Sequence, residues 1–414
     1  MNTETKLWNK NFILYIIAFE LVEMGSALLR FAIPVYILIA TNDPVLLGTV
    51  MTLSWLPFVI FTPIGGVMAD RFSKRHIIIL FNFLIALTIG LYIVLTGNVD
   101  ALLLSIVILV LMTILQSLQT SGFETALYEI IPMEKLMKAN QVTWILAIGS
   151  GVLAPIAAGF MLSEFGLDVI VYAGMFLFLT ATGLNFLLKI PFVKPEKTEQ
   201  AMGLVKTVMV DLKDSFTFIW YEQETLKRAT IALFLYSLVL FPLLSIIPAV
   251  LINTVLGMGE RSLGFANGLI AAGGIFGVVI LGRLGSRINI TKLTHLLVVS
   301  SVLFLLTMGV FMVASNDRLA FGIITVGTLL VNTVLVMFSL NYFTYLGQKT
   351  PEDIVGKVMA FAMTVMMLGG TLAQFTVGRL FNLFGDHLAL AAVALPIVVL
   401  ILVPMTRMKE EGSI

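Results

Sequence analysis

Asp70-Arg71-Phe72-Ser73-Lys74-Arg75 is a short charged island between two long apolar runs, 45–69 before it and 76–96 after it. At 1.5 Å per helical residue, each run is long enough to cross a hydrocarbon layer of ~30 Å. The island therefore reads as the tight turn of a membrane hairpin. Its three bases point to the cytoplasmic side, where Lys and Arg accumulate. Working outward, the same alternation of apolar runs and short polar turns fills the chain. Spans are expected near 12–40, 45–69, 76–96, 101–127, 141–163, 168–190, 229–256, 262–282, 292–314, 319–346, 358–382 and 387–406. The expected fold is an all-α integral membrane protein with twelve transmembrane helices.

Composition agrees. Of 414 residues, 59% are hydrophobic and 12% charged, and mean hydropathy is +1.04. A soluble domain has ~45–50% apolar and ~25% charged residues, so a water-soluble fold is excluded. The polar stretch Met1–Asn11 is short, and the apolar run after it exceeds signal-peptide length without a small-residue cleavage site. No cleavable signal is expected. Zero cysteines exclude disulfides and thiol chemistry, and three histidines argue against a metal centre. A net charge of +1 gives nucleic acid no electrostatic footing. No Gly-x-x-x-x-Gly-Lys-Ser/Thr pattern occurs, and the Ala271–Ile275 run sits mid-span, so no nucleotide cradle and no cofactor are expected. The chain does not read as an enzyme.

Charge placement tests the span count. With the N-terminus inside, 21 of the 25 basic residues fall in inner segments, and Arg261 and Arg318 fall in outer loops. Arg30 and Arg379 lie in the outer parts of spans 1 and 11. This bias puts both termini in the cytoplasm. The one long loop divides the chain into an N-terminal half (1–190), a linker (191–228) and a C-terminal half (229–414). Within the linker, Val205, Val208, Met209, Leu212 and Phe216 share one face. The pattern predicts an amphipathic helix lying on the membrane surface.

The halves resemble each other. Gly282-Arg283-Leu284-Gly285-Ser286-Arg287 follows span 8 as the island follows span 2, superposing Arg283 on Arg71 and Arg287 on Arg75 at an offset of 212. At an offset of 219, Pro132 meets Pro351, Lys138 meets Lys357, Gly151 meets Gly370 and Gly159 meets Gly378. A duplicated six-helix unit of this kind places a substrate site between pseudo-symmetric halves near the midplane. Twelve spans complete such a cavity, so a monomer suffices.

Ionisable groups inside a span are functional candidates by default. Glu20, Glu23, Ala27, Arg30 and Pro34 repeat at intervals of three and four, which puts them on one face of span 1. A face with two carboxylates and an arginine is expected to line a water-filled cavity. Two carboxylates one turn apart do not readily both ionise, so Glu20 or Glu23 is expected to exchange a proton, with Glu23 the deeper. Glu124 and Glu129, near the inner end of span 4, read as interfacial ion pairs, Glu129 with the Lys135/Lys138 loop. Gln116 and Gln119 in span 4, Asn332 in span 10 and Gln374 in span 11 need partners or water. Met363 and Met367 share a face of span 11 with Gln374, and Trp55 and Tyr236 offer rings to a flat or cationic ligand. These polar, methionine and aromatic side chains, with Arg30, are the candidate substrate-cavity residues.

Gly66-Val67-Met68-Ala69-Asp70-Arg71-Phe72-Ser73-Lys74-Arg75 resembles the signature loop of the major facilitator superfamily, with Ser73 in place of its second glycine. Ile131–Asn140 and Pro351–Val358 are similar to loops of its drug:proton antiporters of the macrolide-efflux type. Gly149-x-Gly151-x-x-x-Pro155-x-x-x-Gly159 resembles the antiporter motif of span 5, with Ala154 where glycine is usual. Gln116 lies near the place where such antiporters often carry an arginine. The resemblance implies the major facilitator fold. It implies that Asp70, Arg71 and Arg75 latch span 2 against span 11, and that Gly151 and Pro155 serve the conformational cycle. It implies a bacterial cytoplasmic-membrane exporter of lipophilic drugs, driven by protons and surrounded by lipid. Export of a native amphiphile such as a siderophore or lysolipid is the alternative. An uptake symporter or a non-transporting sensor stands behind it.

Overall fold

A computed structural model describes residues 7–191, 204–284, 292–351, 354–384 and 388–407. The expected spans are all present: twelve helices have the length and apolar composition to cross a membrane. The first six are α1 (Lys10–Thr41), α2 (Pro44–Arg71), α3 (Lys74–Leu95), α4 (Ala101–Ile130), α5 (Met133–Phe165) and α6 (Leu167–Leu187). Helix α7 (Leu204–Thr217) is the linker helix. The seventh span is α8 (Glu224–Leu244), α9 (Ile246–Ala249) and a π-helical turn, Val250–Val255. The rest are α10 (Gly259–Leu284), α11 (Leu293–Met312), α12 (Asp317–Lys349), α13 (Val355–Phe384) and α14 (Leu388–Leu402), the last ending in a 3₁₀ turn, Val403–Thr406. Among the described residues no strand forms beyond an isolated bridge between Thr96 and Val99.

Short polar caps set the helix ends away from the charged island. Asp43 accepts from the backbone N–H of Val45 at 2.8 Å. Asp100 accepts from Leu103 N–H at 2.8 Å, and Asn316 from Leu319 N–H at 2.9 Å. Each satisfies an N–H that the first helical turn leaves without a partner. Gly166, at φ +76°, is the single joint between α5 and α6.

The seventh span is broken where the sequence reading expected one helix. Pro242 and Pro248 lack backbone donors, and Ser245 between them leaves helical geometry at φ −133°, ψ −84°. The Ser245 hydroxyl donates to Phe241 O at 2.6 Å and accepts from Gln374 Nε2 at 3.0 Å. Side chains thus take up the groups that the break frees.

The chain forms two compact units: residues 1–36 with 53–208, and residues 37–52 with 209–414. In the first, α3 packs on α4 and α6. In the second, α8 packs on α13, and α12 on both α10 and α11. The α10–α12 contact is close because α10 presents glycines: a methyl on Gly277 would lie 2.7 Å from Thr333 O. Asn332 Nδ2 donates to Ile270 O at 2.8 Å across the same interface.

The linker helix forms as expected but is tied to protein. Thr207 accepts from Arg71 at 3.2 Å. Asp211 pairs with Lys357 at 2.7 Å, and the Phe216 ring lies 6.2 Å from that of Phe361. Residues 192–203 of the linker and Gly285, Ser286 and Arg287 of the repeated loop lie outside the described residues.

Candidate functional site

The first unit holds the charged face. Helix α1 is seated on α4 through a ring cluster: Tyr15 Oη donates to Phe123 O at 3.0 Å, and the Phe123 ring lies 5.9 Å from Tyr15 and 5.7 Å from Phe19. One turn further along α1 stand Glu20 and Glu23. Ser150 of α5, itself 2% exposed, donates its hydroxyl to Glu20 Oε1. Glu20 Oε2 is closed off from solvent and receives no hydrogen bond.

Glu23 has different company. It lies within Coulombic reach of Arg30 on its own helix and of Glu124 on α4. Reading Glu124 as an interfacial ion pair is therefore replaced. It joins Glu23, while Glu129 pairs with Lys74 at 2.6 Å and not with Lys135 or Lys138. The Arg30 guanidinium carbon lies 5.6 Å from the ring centres of both Trp55 and Phe58 on α2. Two aromatic faces stabilise a cation held among apolar walls. Glu20, Glu23, Arg30 and Trp55 are thus brought into one neighbourhood, with three carboxylates to one guanidinium.

The glutamines of α4 hold helices. Gln116 Nε2 donates to Ser26 Oγ at 2.6 Å, fixing α4 to α1 beside the charged face, and Gln116 Oε1 is buried without a partner. Gln119 donates to Asn82 Oδ1 and to Ile78 O, fixing α4 to α3. In the second unit, Tyr236 stacks on Phe338 at 4.7 Å, and Asn332 and Gln374 make the contacts already given. All three are buried there. Met363 is 44% exposed, and Met367 is half-buried one turn on.

Of the loop residues, Asp70 stands exposed in the last turn of α2. Arg71 donates to Thr207, and Arg75 donates to Phe186 O at the end of α6, at 2.6 Å. On α5, a methyl at Gly149 or Gly151 meets nothing within 4 Å, so neither glycine serves a close helix contact in this conformation. Pro155 lies inside α5 without ending it. Sequence reasoning passed over Ser150 and Phe58. A serine between two glycines and a phenylalanine in an apolar helix carry no signal until α1 is folded against them.

Twelve apolar helices among the described residues, with charged groups turned toward other helices, mark a multi-pass membrane protein of the helical-bundle class. Over residues 15–374 the chain matches the sequence model of the Major Facilitator Superfamily, and it belongs to that superfamily. It is 26% identical over 370 residues to the multi-drug resistance efflux pump PmrA of Streptococcus pneumoniae, in two strains, covering 84% of this chain and 82% of that protein. Solved structures share the fold. The nucleoside transporter NupG superposes with a TM-score of 0.73 at 12% identity, covering 99% of this chain and 100% of that one. A bacterial homologue of the iron transporter ferroportin, in an inward-facing state, does so at 0.71 and 15% identity, covering 97% and 99%.

Proposed function

We propose that the protein is a proton-coupled exporter of lipophilic drugs, working by alternating access in the bacterial cell membrane as a monomer with both termini cytoplasmic. The observation that carries this reading is the face of α1. Glu20 and Glu23 sit one turn apart inside a span, with a hydroxyl on one and a guanidinium within Coulombic reach of the other. Uncompensated charge inside a membrane is costly, so such groups persist where they move ions or bind charged ligands. The likeness to a multi-drug efflux pump supports outward transport. The ring pair around Arg30 and the adaptable side chains of Met363 and Met367 suit varied apolar ligands. Proton entry by Glu20 or Glu23 would alternate with release of drug. Asp70, Arg71 and Arg75 would serve as gating residues at the end of α2, and Gly151 and Pro155 would let α5 move.

The test is efflux of macrolides, a lipophilic cationic dye and a lysolipid from loaded cells, with and without a protonophore. Loss of drug or dye efflux on adding the protonophore is the expected result. Efflux of the lysolipid alone would move the function to a native amphiphile. Efflux of no compound, with the protein present in the membrane, would sink the export reading.

A further inference from the structure

The two carboxylates of α1 are not equivalent, and their difference assigns the work. Resting on the proton-coupled reading above, we infer that Glu20 carries the exchanged proton, with Ser150 as its positioning residue, and that Glu23 stays ionised as the counter-charge of Arg30.

The surroundings of the two acids support the division. A carboxylate has two acceptor oxygens and needs donors for both when it leaves water. Glu20 is given one donor, the neutral hydroxyl of Ser150, on Oε1. Its Oε2 is sealed from solvent and without a partner, which suits an oxygen that bears a proton and not one that bears charge. Glu23 instead has the permanent charge of Arg30 in reach, held by Trp55 and Phe58. The charged and titratable groups around the pair are few. Glu23 acts on Glu20 and on Glu124 of α4, Arg30 acts on Glu23, and Glu124, Glu23 and Tyr128 act on Tyr15. From α5 the group facing Glu20 is Ser150.

The step is a simple protonation. A proton entering the site bonds to Oε2 while the Ser150 hydroxyl continues to donate to Oε1. On release, the proton leaves Oε2 for water, and Oε2 must then be hydrated. Ser150 lies between Gly149 and Gly151, where an added methyl would meet nothing within 4 Å. A small shift of helix α5 away from α1 is what would open Oε2 to water. Occupancy of Glu20 is tied in this way to the position of the helix that carries Gly151 and Pro155.

The test is an infrared pH titration of the full-length protein reconstituted in lipid, reading the carboxyl C=O stretch that appears on protonation. No transported compound is needed. Wild type is expected to show a titrating band that Glu20→Gln removes and that Glu23→Gln and Glu124→Gln keep. Ser150 donates to the charged form, so Ser150→Ala should move the band's midpoint to higher pH by about one unit, a tenfold change in proton affinity. Ser150→Thr, which restores the hydroxyl, should return it. A merely structural serine would leave the midpoint in place. The assignment fails if the band survives Glu20→Gln, if Glu23→Gln removes it, or if Ser150→Ala leaves it unmoved. These outcomes are separate from the export reading: a band assigned to Glu20 in a protein whose efflux ignores protonophores would overturn proton-coupled export alone.

Discussion

Gly151 on α5 and Gly370 on α13 occupy matching places in the sequence repeat, yet their surroundings are opposite. A methyl on Gly151 meets nothing within 4 Å, whereas a methyl on Gly370 would run into the ring of Phe241. The neighbouring Gly369 is packed just as tightly against Phe234 and Ser237. The contrast extends to whole spans. Buried residues make up 28% of the apolar stretch of α5 against 39% in its counterpart α13, and 50% of that of α1 against 72% in the seventh span. Charge follows the same division. The first unit carries Glu20, Glu23 and Arg30 inside a span, and the counterpart span of the second unit carries Ser245 between two prolines. The repeated pattern thus carries a charged first span beside a more open α5 in one half, and a more densely packed, broken first span without charge at its centre in the other.

The largest expected effect breaks that division of labour. Glu20→Gln combined with Glu23→Gln should end proton-driven efflux while leaving the protein folded, because both side chains keep their size. Asn332→Ala or Gln374→Ala in the second unit should keep the proton dependence and lower the amount of folded protein. The pair of measurements is protonophore-sensitive efflux and monodisperse yield in detergent. Proton-driven efflux retained by the double variant would place the coupling group elsewhere.

A smaller effect sharpens the glycine comparison. Gly370→Ala must displace an aromatic ring in a packed core, at ~1–3 kcal/mol. Gly151→Ala enters open space and should stay within ~0.5 kcal/mol. Thermal unfolding of the two purified variants would show a clear fall in Tm for the first alone. Equal falls would mean that α5 makes a close contact in another state of the cycle.

The smallest effect concerns the linker. Lys357→Ala removes an ion pair with Asp211 whose lysine is 45% exposed. Exposed pairs contribute ~0–1 kcal/mol, so Tm should hardly change. A large fall would show that α7 does more than rest on the start of α13.

Much of this was legible in the chain. The twelve spans followed from runs of apolar residues, since a bilayer demands uninterrupted helices of a set length. The face of α1 followed from spacing alone. The break at Ser245 was not legible, because single prolines, such as Pro34 in α1 and Pro155 in α5, sit inside intact helices. A close pair of prolines is no better a signal, since Pro57 and Pro63 lie six residues apart inside the intact α2. What marks Ser245 is a hydroxyl that takes up Phe241 O and is itself held by Gln374 of another helix. Glu124 was misplaced for a related reason. Its place near the inner end of span 4 suggested an interfacial ion pair, and the rotation of α4 turned it toward Glu23.

The sequence by itself determined what composition and periodicity control: a membrane protein, its twelve helices, the repeat, and the charged face of the first span. Those are local consequences of burying apolar side chains in a solvent that cannot hydrogen-bond. Only the tertiary structure decided which partner each polar group meets. It gave Ser150 to Glu20, Trp55 and Phe58 to Arg30, and Gln374 to the break at Ser245. Those pairings join residues 25 to 130 positions apart, and nothing short of the packed helices brings them within reach of one another.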